Sequence, residues 1–111
     1  MATVEHKRFE TLLVQLGRDF DQKVLDDPDF ASKIPANAHI VFQLDVDQAS
    51  VLNEAQAFNA WAQALAEVNH EPGQPLVTVT LHLQLHPSER RHGLTARAIG
   101  QSVRDFELVT V

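Results

Sequence analysis

Two short stretches hold the residue types that do chemistry. Asp45-Val46-Asp47 sets two carboxylates either side of a valine, and His82, His86 and His92 follow one another closely further along. Paired carboxylates can bracket Mg²⁺, and one of them can attack a phosphoryl group. Imidazoles bind metals or move protons near neutral pH. Each pattern also has a plainer reading. An Asp ahead of a helix satisfies free N–H groups and complements the helix dipole. Phosphoryl chemistry of the Asp-x-Asp kind needs a longer parallel sheet and a positioned Lys, which this chain does not offer. On one strand, His82 and His86 have Cα atoms about 13 Å apart, too far to share an ion. A metal would then need His39 or Asp45 from a neighbouring strand, or a second chain. Helix capping and a hydrated sheet face are therefore the expectations, with no metal and no cofactor. Convergence of Asp45 with His82 or His86 would instead favour a minimal metal-binding or hydrolytic enzyme. Asp45, Asp47, His82 and His86 make up the candidate polar cluster.

Other chemistries find less support. The chain has no Cys, which excludes disulfides, thiol catalysis and Cys-ligated zinc. Ser88 lies beside His86 and Glu89, yet no Gly-x-Ser-x-Gly elbow surrounds it. No Gly-rich phosphate loop and no His-Glu-x-x-His occur. Arg90, Arg91, Arg97 and Arg104 form a basic stretch that could meet an anion or nucleic acid. They could equally pair with the acidic run from Asp19 to Asp29, in the same chain or in a partner. With 15 Asp and Glu against 9 Lys and Arg, the formal charge of −6 argues against a surface made to grip nucleic acid.

The elements that must position these residues are legible from periodicity. Phe9, Leu13, Leu16, Phe20 and Val24 recur at steps of three and four, predicting an amphipathic helix from about Val4 to Asp26. Thr3 could cap it, and Gly17 could admit another backbone. Asp27-Pro28 reads as N-cap and first position of a short helical turn to about Lys33. His39 to Asp45 alternates as a half-buried strand. A second long helix, from about Gln48 to Asn69, should bury Val51 or Leu52, Ala55, Phe58, Ala62 and Leu65, with Trp61 and Val68 alongside. Gln56, Asn59, Gln63 and Glu67 take its opposite face. After the breaker His70-Glu71-Pro72-Gly73-Gln74-Pro75, Leu76 to Leu85 alternates strictly, with Val77, Val79, Leu81, Leu83 and Leu85 on the apolar side. Ten residues exceed the strand at His39–Asp45, which leaves backbone for another strand to pair. A helix over Thr95–Arg104 and a strand over Asp105–Val111 complete the chain. Strand, helix, strand implies a right-handed βαβ unit.

The segments Leu25-Asp26-Asp27-Pro28-Asp29-Phe30, Ile34-Pro35-Ala36-Asn37, and Gly73-Gln74-Pro75-Leu76-Val77-Thr78-Val79 resemble a family of short uncharacterised bacterial proteins. That family follows a "DPxFxxxIP" turn with a strand, a helix and a "GxPxVxV" strand. The resemblance covers roughly residues 9 to 80. It implies a bacterial source and a βαβ core, and no catalytic residue. The segment after Leu85 departs from the pattern.

The expected architecture is α/β: one domain over residues 1–111, a small two-layer sandwich on a βαβ unit, with an N-terminal helix and a C-terminal helix and strand. No apolar run approaches the roughly 20 residues of a membrane helix, and a cytoplasmic protein is expected. The functional expectation is a non-catalytic interaction or regulatory module, homo-oligomeric and most simply a dimer.

Overall fold

The computed structural model describes residues 3–47, 49–85 and 94–110. Helix α1 (Thr3–Asp26) is followed by α2 (Pro28–Ser32), strand β1 (His39–Val46), helix α3 (Ala49–Asn69), strand β2 (Leu76–Leu83), helix α4 (Ala96–Ser102) and strand β3 (Val103–Thr110). The sheet order is β1-β2-β3. β1 runs parallel to β2 and β3 antiparallel to it. This is the expected small α/β fold, with a mixed three-stranded sheet.

Local chemistry sets the boundaries. Thr3 lies inside α1, so it is not the cap. Asp27 caps α2, its Oδ1 accepting from the Phe30 N–H at 3.1 Å, with Pro28 in the first turn. The Thr95 hydroxyl does the same for α4, accepting from the Ala98 N–H at 3.1 Å. Asn37 takes the left-handed conformation (φ 61°) that its short polar side chain tolerates.

Core residues from every element form one cluster. In α1 the buried stripe is Phe9, Leu12, Leu16 and Phe20, with Leu13 and Val24 only half-buried at its margin. No heavy atom comes within 4 Å of a Cβ placed on Gly17, so no close backbone approach depends on that glycine. Phe42, Leu44 and Val46 of β1 share the helix-facing side with Val77, Val79, Leu81 and Leu83 of β2. In α3 the buried positions are Val51, Ala55, Phe58, Ala62 and Ala66. Leu65 is 40% exposed and Val68 82% exposed, against expectation. Both 65 and 66 lie within a spacing of three or four from Ala62; the fold turns position 66 inward, so an alanine holds the place expected of Leu65.

Asn59 corrects the expected polar face of α3. Its Oδ1 accepts from the Leu44 N–H at 2.7 Å, and its Nδ2 donates to the Leu44 C=O at 3.0 Å. One amide side chain thus mimics a neighbouring strand along the outer edge of β1. Gln43 adds a bond from Nε2 to the Phe42 C=O at 3.0 Å. Unpaired strand edges otherwise invite other chains.

β2 matches β1 over its full eight residues, so it does not outrun its parallel partner. Its other side is taken by β3 of the same chain. Among the described residues, the unpaired backbone expected on the long strand is therefore absent over Val77–Leu83, and β3 rather than β2 stands at the second edge. Arg8 and Glu54 pair, and both hold the Leu94 backbone: the Leu94 C=O accepts from Arg8 at 3.0 Å and its N–H donates to Glu54 at 3.1 Å. This clamp fixes the entry to α4.

Candidate functional site

The sheet face turned away from the core is mostly polar, with Val41 and Val109 at one end. Strand register aligns Val41, Thr78 and Val109 in one row, Gln43, Thr80 and Glu107 in the next, and Asp45, His82 and Asp105 in the third. A register shift falls between His82 and Leu83, where Asp105 and Val103 are their partners and Arg104 is the extra residue. Such bulges sharpen local twist and end regular pairing.

His82 is the centre of this face. Its Nδ1 lies 2.7 Å from Asp45 Oδ2 on β1, and its Nε2 lies 3.1 Å from Glu107 Oε1 on β3. A ring with a carboxylate at each nitrogen is best matched by the imidazolium, which alone donates from both. The hydrogen bond that His82 donates to Asp45, then that to Glu107, raises the His82 pKa above its ordinary value, against a smaller opposing effect of burial. Asp45 is therefore not a helix cap. Its carboxylate belongs to a hydrogen-bonded line across all three strands.

That line has a defined chemistry. Both imidazole nitrogens are engaged, so the three side chains are strung out and do not converge on a point. No group of three or more His, Asp or Glu that could hold a metal ion occurs among the described residues. What the arrangement can do is carry a positive charge on a polar surface and lose it as pH rises. A raised folded-state pKa gives a contribution to stability that is complete below about pH 6.5, the unfolded value, and is lost as pH rises through the folded value. His82 is a third exposed and its partners more than half, so solvent screening keeps the effect below about 1 kcal/mol. We expect His82→Gln to be less stable than the parent at about pH 5 and equal to it at about pH 9. Urea titrations of both proteins across that range check this; a gap that widens with pH would contradict it.

The remaining candidates are dispersed. Asp47 is exposed at the junction between β1 and α3. His86, Arg90 and Arg91 lie outside the described residues, as do His92 and Ser88. Arg97 is exposed on α4, and Arg104 sits at the β3 bulge. The acidic run finds nearby partners: Lys23 pairs with Asp27 at 3.0 Å, Gln22 donates to Asp26, and Gln15 donates to Asp19 Oδ1. Burial raises the Asp19 pKa, and its Oδ2 has no hydrogen-bond partner among the described residues.

Sequence reasoning missed two features. Glu107 falls in a segment that sequence marks only as a strand; its place beside His82 depends on register between segments far apart in the chain. His39 and His70 also meet, with ring centroids 5.9 Å apart. His70 Nε2 donates to the Gln74 C=O at 2.6 Å, Gln74 Nε2 to the Asn37 C=O at 3.1 Å, and the His39 N–H to the Pro75 C=O at 2.7 Å. These bonds lash two loops together at one end of the sheet. Beside them, Leu13, Val41, Ala62, Leu65 and Ala66 line an apolar cleft of about 150 Å³.

The fold and this face define a small α/β protein with one helix-covered and one polar sheet surface. Residues 8–88 match the DUF5647 family, a family of unknown function, and the chain belongs to it. No curated protein matches the chain, and no solved structure does. None of the helices among the described residues is long and apolar enough to cross a membrane.

Proposed function

We propose that the chain is a small bacterial, cytoplasmic interaction or regulatory module, non-catalytic and active as a homo-oligomer. The observation that carries this reading is the sheet. Its helices pack on one face, its other face presents a shallow polar grid, and β3 packs extensively only against β2 among the described elements. The Asp45–His82–Glu107 line would give such a contact face a charge that depends on protonation.

Hydrolytic chemistry is the second reading, favoured by the approach of Asp45 to His82. A carboxylate at Nδ1 orients an imidazole for proton transfer at Nε2. Here Nε2 already faces Glu107, so a substrate would have to displace that carboxylate first. The module reading needs no such rearrangement. Light scattering with size-exclusion chromatography tests it: a dimer is expected at tens of micromolar, and a monomer throughout that range overturns the homo-oligomer.

A further inference from the structure

We propose that two copies of this chain join through the outer edge of β3, antiparallel about a two-fold axis at Glu107, to make one six-stranded sheet. The inference rests on the homo-oligomer reading and names its surface. The two edges of the sheet are unlike. Along β1, Asn59 occupies both backbone groups of Leu44, Gln43 donates to the Phe42 C=O, and α3 packs alongside. Along β3, the cap among the described residues is Asp105, whose Oδ1 accepts from the exposed Phe106 N–H at 2.9 Å. That local bond, one residue along the chain, is readily exchanged for a ladder bond. If the Phe106 N–H points outward, so do those of Leu108 and Thr110, by the alternation of an antiparallel strand.

The side chains say what fits there. Phe106 and Leu108 lie on the helix-facing side of the sheet yet are only half-buried, unlike their neighbours Leu81 and Val79 on β2. An axis at Glu107 sets Phe106 opposite Leu108 of the second copy, and Leu108 opposite its Phe106, so both apolar pairs continue the core. The paired stretch, residues 105–109, avoids the bulge at Arg104. An axis at Phe106 would carry the pairing to residue 103, across that bulge, and set Asp105 against Glu107 twice. An axis at Leu108 would face Phe106 with Thr110. At Glu107 itself, the two carboxylates that meet are each held by His82 of their own chain.

The chain has no Cys, so single cysteines report the geometry directly. Across the axis, Glu107→Cys places two Cα atoms about 4.5 Å apart in a non-hydrogen-bonded pair, inside the range for a disulfide. Asp105→Cys and Val109→Cys place theirs about 13 Å apart, beyond it. Under mild oxidation, E107C should give at least about tenfold more cross-linked dimer than D105C or V109C. Circular dichroism confirms that each variant is folded. A dimeric parent with no excess cross-linking at position 107, or with more at 105 or 109, overturns this pairing while leaving the homo-oligomer intact. A monomeric parent overturns the homo-oligomer, and this interface with it.

Discussion

Replacing Phe58 with Ala is expected to lower the unfolding free energy by about 3–5 kcal/mol. Phe58 is fully buried at the seam between the two long helices and the sheet. Its ring meets Phe9 edge-on at 5.7 Å and Trp61 at 5.7 Å, and Phe9 in turn lies 5.5 Å from Trp61. Truncation removes the middle member of that set and leaves a cavity that two rigid helices cannot close. Trp61 is the single tryptophan, so its fluorescence follows unfolding at the site itself. Leu65→Ala is the control. That side chain is 40% exposed, and its loss should cost under about 1 kcal/mol. Equal losses at the two positions would mean that the inward face of α3 is not the one described.

Ile99→Ala should cost about 2–5 kcal/mol. Leu94, Ala98 and Ile99 are all fully buried, and α4 packs on α1. β3 begins at Val103, directly after α4, so a loosened α4 also loosens the edge strand. This segment lies beyond the residues that match the family, yet it supplies part of the same core. Urea unfolding followed by Trp61 fluorescence and by far-UV circular dichroism should therefore shift together in this variant. A loss under about 1 kcal/mol, or a shift in circular dichroism alone, would mean that α4 and β3 are a separate and weaker unit.

The elements were legible where one residue type repeats at a fixed period. Val77, Val79, Leu81 and Leu83 alternate without interruption, and β2 follows. The Asp27-Pro28 pair marked α2 because its cap is local in sequence. The inward face of α3 was harder to read: Ala66 carries little apolar signal beside Leu65, so size pointed to the wrong neighbour. Asn59 was invisible as an edge partner because it reads like any solvent-facing amide. Two of the three members of the polar line are candidates from sequence, Asp45 and His82, but only the register aligning His39 with Leu76 brings them together. Glu107 needed a second register as well, diagonal to His82 and set beside a bulge. Contacts between residues so distant in sequence leave no periodic trace.

The Asn59 amide on Leu44 also bears on how far assembly can go. A sheet with two open sides can add strands without end, as fibrils do. Here the middle of one side is blocked from within, at Leu44 and the Phe42 C=O, by side chains of the same molecule. Whatever strand joins at β3, a chain of this kind brings its own closed side outward. If two copies join at β3 as proposed, strand addition terminates after that one step, and a bare strand edge becomes a device for counting to two.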